Sequence, residues 1–77
     1  DVEQHSIGVY PNPSTGYVRF DKGDLEVEEW EIRDINGRIV AEGILLPEGF
    51  DFEGKKGMFF VYFTTAAGHQ IEKIIVR

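Results

Sequence analysis

Residues 57–76, GMFFVYFTTAAGHQIEKIIV, decide the fold class of this chain. Two apolar runs, 58–64 and 70–76, are rich in aromatic and β-branched residues, which favour strands. A short segment containing glycine, residues 65–69, separates them. Two strand-like runs joined in this way indicate a β-hairpin. The sequence therefore predicts two antiparallel strands in its last third.

The length of the loop sets which side chains share a face of this hairpin. A three-residue loop ending in glycine pairs Phe63 with Ile71 and Phe59 with Ile75 on the inner face. The opposite face is then also apolar, and it carries Met58, Phe60, Tyr62, Ile74 and Val76. Either a bulge or a flanking segment covers this second face, or it is an exposed patch for a partner.

Turn residues divide the rest of the chain in the same way. Nine glycines separate short runs, and no stretch has the pattern of a helix of three turns. The predicted strands are residues 7–10, 17–20, 26–33, 38–43, 50–52, 58–64 and 70–76, with a bulge between Val27 and Trp30. The fold class is therefore all-β, a small immunoglobulin-like antiparallel β-sandwich of about seven strands.

The turn at residues 34–38, DINGR, has two readings. It is either a two-residue Asn-Gly hairpin or a three-residue loop with Gly37 in the left-handed region. The longer loop pairs Asp34 with Arg38, which have opposite charges, and Ile32 with Val40. We favour the longer loop for that reason.

Composition excludes several classes of function. The 77 residues include 14 acidic and eight basic residues, and the net charge of −6 disfavours nucleic acids and anionic membranes as partners. No apolar run approaches the roughly 20 residues of a transmembrane helix, so we expect no direct membrane insertion. The chain has no cysteine, which leaves its redox compartment open.

Residues that carry catalysis or bind metals are sparse. There is no cysteine, and the two histidines, His5 and His69, fall in the N-terminal extension and at a predicted hairpin tip. The glutamates at 26–31 lie along a predicted strand and are expected to face solvent. Asp51 and Glu53 do not form the residue pattern of a calcium-binding loop. We therefore predict no enzyme activity, no cofactor and no metal site.

The stretch at residues 9–16, VYPNPSTG, predicts a rigid turn after the first strand. Pro11 fixes its own φ, and Pro13 favours an extended Asn12. We expect the Asn12 side chain to accept a hydrogen bond from the amide of residue 14 or 15, and Gly16 to take the left-handed position.

Taken in order, several motifs resemble a known family, the type A C-terminal sorting domain of the type IX (Por) secretion system. The motifs are VYPNPSTG at 9–16, I-x-D-x-N-G-R-x-V at 32–40, G-x-F-x-V at 57–61, Gly68, and KIIV at 73–76. The resemblance implies a secretion signal at the end of an upstream cargo, with residues 1–6 as the linker and 7–77 as the sorting domain.

The resemblance also implies partners and a route. The cargo reaches the periplasm of a Gram-negative bacterium, and the outer-membrane translocon and its shuttle protein recognise the domain. A sortase then cuts within or before residues 1–8, and the cargo is attached to the cell surface or released. The expected turn residues of the motif are Pro11, Asn12, Pro13, Gly16, Asp34, Gly37, Arg38 and Gly57. The expected translocon contacts are Lys73, Ile74, Ile75, Val76 and Arg77 of the last hairpin, and the first four turn residues are expected to shape a turn that presents or stabilises this hairpin.

Two other functions fit the same predicted fold. A structural spacer needs no further feature, whereas a carbohydrate-binding module needs an exposed aromatic platform, for which Trp30 and Tyr62 are the candidates. Dimerisation through an exposed edge strand or an apolar hairpin face is a further expectation.

Overall fold

A computed structural model describes residues 6–77 of the chain. This part contains seven strands and no helix. The strands are β1 (Gly8–Tyr10), β2 (Tyr17–Asp21), β3 (Val27–Asp34), β4 (Ile39–Gly43), β5 (Gly49–Asp51), β6 (Gly57–Thr65) and β7 (Gly68–Val76). Each lies within two residues of its predicted bounds at either end. Residues 1–5, which include His5 and most of the expected linker, lie outside the described part.

The strands form two antiparallel sheets, which confirms the predicted β-sandwich. One sheet has the order β1-β2-β5 and the other has the order β4-β3-β6-β7. Val18 of β2 pairs with Phe50 of β5, and Trp30 of β3 pairs with Phe63 of β6. β1 and β7 are therefore edge strands of different sheets.

Alternate positions of both sheets meet in one core. Phe52, which directly follows β5, lies with its ring centroid 4.7 Å from that of Phe59, and the rings of Phe20 and Phe63 meet edge to face at 5.7 Å. The buried apolar residues are Ile7, Val18, Phe20, Trp30, Ile32, Phe52, Phe59, Val61, Phe63, Ile74 and Val76. Aromatic rings supply much of this core, as a small chain without disulfides requires.

One bulge was predicted and another was not. The register of β3 against β6 shifts between Val27 and Glu29, which confirms the first. The backbone amide of Asp34 donates to the carbonyl of Arg38 at 2.9 Å, which confirms the longer loop. The predicted pairing of Ile32 with Val40 is wrong, because Ile32 pairs with Ala41 across a second register shift.

The predicted register of the β6–β7 hairpin is also wrong, by one residue. Thr65 pairs with Gly68, so the connection has two residues, and Phe59 lies opposite Ile74 instead of Ile75. A slip of one residue exchanges the two faces of a strand. The predicted register would have turned Lys73 towards the core, where an unpaired charge is costly. The observed register buries Ile74 and leaves Lys73 exposed.

Candidate functional site

The side chain of Asn12 holds the C-terminal strand. Its Nδ2 donates to the carbonyl oxygen of Lys73 at 2.6 Å, and its Oδ1 accepts from the amide of Ile75 at 3.0 Å. One side-chain amide thus satisfies a carbonyl and an amide on the outer edge of β7, as a neighbouring strand would. The first motif and the last motif of the sequence are in direct contact.

Ser14 continues this contact through its backbone. Its amide donates to the carbonyl of Ile75 at 2.8 Å, and its carbonyl accepts from the amide of Arg77 at 2.9 Å. These bonds form a parallel bridge between Ser14 and Val76. The Ser14 side chain is buried, where it accepts from the Gly16 amide at 2.9 Å and donates to the Tyr17 carbonyl at 2.8 Å.

The turn therefore differs from its predicted form in one respect. Asn12 does not accept from the amide of residue 14 or 15, because its side chain reaches β7 and Ser14 bonds to Ile75. Gly16 has the expected positive φ, at 143°, which side chains rarely adopt. The peptide bonds before Pro11 and Pro13 are cis.

Gln70 makes a similar contact nearer the start of β7, which the sequence did not indicate. Its Oε1 accepts from the amide of Ile7 at 2.8 Å, and its Nε2 donates to the carbonyl of Ile7 at 2.9 Å. An isolated glutamine in a strand gives no local signal for a partner 63 positions away. The outer edge of β7 is thus occupied at Gln70 by Ile7 and from Lys73 onward by the turn.

Two further turns with motif residues lie at the same end of the sandwich, whereas Gly68 lies at the opposite end of β7. The Asp34 carboxylate accepts from the amides of Asn36 and Arg38 at 2.9 and 3.0 Å, and Gly37 has a φ of 84°. Gly57 has a φ of 121° and pairs with Val76 at the start of β6. The observed contacts of Asp34, Gly37 and Gly57 therefore shape turns of the domain itself.

The five expected translocon contacts divide into two groups. Ile74 and Val76 are buried in the core. Lys73 and Arg77 are exposed, and Ile75 is half-buried on the outer face of the sheet. A partner that meets the folded domain therefore reaches Lys73, Ile75 and Arg77.

The outer face of the larger sheet carries apolar groups, although not all those expected. Met58, Phe60 and Tyr62 lie on it half-buried, but Ile71 and Ile75 replace Ile74 and Val76 because of the register. The Arg33 guanidinium lies 5.9 Å from the Tyr62 ring centroid. The Arg33 guanidinium donates a hydrogen bond to the Glu31 carboxylate, which raises the pKa of Arg33, so this side chain stays charged.

Comparison with known protein families shows to which family the chain belongs. The family described as the secretion system C-terminal sorting domain matches residues 8–77. The chain belongs to this family. The match spans the Asn12 turn, the Asp34 turn and β7 together. No curated protein matches the sequence.

The sorting domain belongs to the type IX secretion system. It indicates export to the cell surface or the extracellular space of Gram-negative Bacteroidetes. Sorting-signal domains are generally non-catalytic.

Within residues 6–77, no group of three potential metal ligands comes together. The described part also contains no helix that is long and apolar enough to cross a membrane. The ring of His69 lies 3.3 Å from the Thr64 hydroxyl on the surface. Trp30 of the sorting domain is buried and its Nε1 donates to the carbonyl of Leu45 at 2.9 Å, which argues against its use as a sugar platform.

Proposed function

We propose that the folded domain is an export address for an upstream cargo, and that it is read at the end of the sandwich where residues 11–16 meet residues 73–77. One observation carries this proposal: the hydrogen bonds of Asn12 and Ser14 join the two most widely separated motifs of the family into one surface. Lys73, Ile75 and Arg77 supply the accessible side chains there.

The partners in this proposal are the outer-membrane translocon and its shuttle protein. Ile74 and Val76 contribute indirectly, because their burial fixes the register that turns Lys73 and Ile75 outward. The turn residues contribute by holding β7. Recognition then depends on a folded domain, and a linear copy of residues 73–77 lacks the Asn12 contact.

The proposal extends to processing at the N-terminal side. Residues 1–6 are the linker between the cargo and the domain at 7–77. A sortase cuts within or before residues 1–8, and the cargo is then attached to the cell surface or released. Ile7 is buried and held by Gln70. A cut before Ile7 would therefore leave the core intact.

A fusion of residues 1–77 to a periplasmic reporter, expressed in a host with type IX secretion, tests the proposal. We expect the intact fusion at the surface or in the medium, and a fusion lacking residues 73–77 in the periplasm. Since that deletion also removes core residues, Lys73→Ala with Arg77→Ala gives a second test in which only exposed side chains change.

The matched control is His69→Ala, an exposed position at the opposite end of β7. The double variant should slow export while its unfolding transition in urea stays unchanged. Retention of the intact fusion in the periplasm, or undiminished export of the deletion variant, would contradict the proposal.

A further inference from the structure

A cleft of about 370 Å³ opens between the Asp34 turn and the segment that leads into β6, at the end of the sandwich where residues 11–16 meet residues 73–77. Ile35, Val40, Met58 and Phe59 give it apolar walls. Ile35 is 68% exposed, so its side chain is accessible to a partner.

Lysines line the same cleft. Lys55 and Lys56 are exposed in the turn before β6 and belong to its lining. Arg77 is exposed and follows Val76, which pairs with Gly57, but it does not line the cleft. The one carboxylate in the lining, that of Asp34, already accepts two backbone amides within its own turn.

The segments around this cleft carry more basic than acidic residues. Six of the eight basic residues lie at residues 33–38, 51–60 and 72–77, against four of the fourteen acidic ones. The basic residues are Arg33, Arg38, Lys55, Lys56, Lys73 and Arg77, and the acidic ones are Asp34, Asp51, Glu53 and Glu72. In a chain of net charge −6, basic residues thus outnumber acidic ones in these segments, although one of the six, Arg33, is bonded to Glu31 just outside them.

We propose that this cleft, the Lys55 cleft, binds a protein segment of the export machinery in which an aliphatic or aromatic side chain stands next to carboxylates. The inference rests on the proposed function and names the chemistry of the partner. The apolar side chain enters between Ile35 and Phe59, and the carboxylates pair with Lys55 and Lys56. Charge complementarity of this kind speeds association and orients the partner.

A peptide fits these observations better than a lipid surface does. The apolar walls form a recess beside the lysines, with the exposed Ile35 at its rim, and a recess accommodates a single side chain of a partner chain. A short peptide contacts only the cleft, whereas an anionic membrane surface would also face exposed acidic residues such as Glu53 and the rest of the acidic domain, which it would repel.

The test combines export with direct binding. In the reporter fusion, Lys55→Glu with Lys56→Glu should slow export at least about tenfold, because like charges would then face the carboxylates. The matched control, Arg19→Glu with Lys22→Glu, makes the same charge change at exposed positions away from the cleft and should leave export unchanged. Ile35→Asn should also slow export without loss of stability.

For binding, NMR titration of the domain uses a capped peptide, glycine-leucine-aspartate-aspartate-glycine, and two matched peptides with alanine for leucine or asparagine for aspartate. We expect shifts at Ile35, Lys55 and Phe59 with the first peptide, weakened at higher salt, and at least about tenfold weaker binding of the others. Vesicles of phosphatidylglycerol and phosphatidylcholine form the lipid arm and should not bind.

Three outcomes overturn the inference: normal export of the Lys55→Glu, Lys56→Glu variant, equal binding of the three peptides, or binding to the anionic vesicles alone. If export of that variant is normal while deletion of residues 73–77 still blocks export, the proposed function stands and only the cleft assignment fails.

Discussion

Asn12 takes the place of a neighbouring strand beside Ile75, although the two residues are 63 positions apart. An edge strand offers unpaired amides and carbonyls to any other chain, and proteins cover such edges in several ways. Here the covering group belongs to the stretch VYPNPSTG at residues 9–16. Asn12 therefore binds the outer edge of β7, the strand that carries the KIIV motif at residues 73–76.

Asn12→Ala should destabilise the domain by about 1–2 kcal/mol, because two hydrogen bonds to β7 are lost from a site that water can reach. Urea unfolding followed by tryptophan fluorescence measures the change. Asn36→Ala is the control, since Asn36 contributes its backbone amide to the bond with Asp34. An equal loss in both variants would show that Asn12 does not hold β7.

Ser14→Ala should cost about 1–3 kcal/mol, because the buried hydroxyl leaves the Gly16 amide and the Tyr17 carbonyl without their partner. The neighbouring exposed position supplies the control, and Thr15→Ala should change the free energy of unfolding by less than about 0.5 kcal/mol. Thermal unfolding of the two variants side by side measures the difference. An unchanged free energy of unfolding in Ser14→Ala would show that the hydroxyl does not stabilise the turn.

Gly49→Ala should be among the most damaging of small substitutions. A Cβ at this position would overlap the carbonyl oxygen of Val18 and the ring of Tyr17 on the paired strand. Because a paired backbone cannot move aside, we expect a loss of at least about 2 kcal/mol.

Gly8→Ala is the control for this substitution. Its Cβ would meet nothing closer than 3.7 Å, and we expect a change within about 0.5 kcal/mol. Comparable urea midpoints for the two variants would argue against close packing of β5 on β2.

Gln70→Ala should loosen the N-terminal segment without unfolding the domain. Both hydrogen bonds of Ile7 to the Gln70 side chain are lost, so hydrogen exchange of the Ile7 amide should accelerate at least about tenfold. Exchange in the centre of β6 reports global stability and should change less. Ile71→Ala, an exposed position on the same strand, should leave the Ile7 amide unchanged.

Local chemistry predicted much of the fold. Aromatic and β-branched runs between glycines placed all seven strands, because strand preference and turn residues act within a few positions. The charge pair of Asp34 and Arg38 selected the right loop. The register of β6 against β7 was predicted wrongly, because the burial of Ile74 in place of Lys73 depends on the second sheet.

The candidate site was predicted only in pieces. The motif stretches at 9–16 and 73–76 were recognised from the sequence, and so was the family. The turn was expected to present or stabilise the terminal hairpin, but the bonds of Asn12 to β7 were not predicted, since its side chain was expected to bond within its own turn. Gln70 was missed altogether, because its partner is at the other end of the chain.

The sequence by itself determined the strands, the positions of the turns, the absence of cysteine and the family, since these depend on residue type and short-range spacing. Only the tertiary structure decided which face of β7 is buried and what covers its outer edge. Packing two sheets brings residues 12–14 alongside residues 73–77, and no interaction between neighbours in sequence specifies that contact.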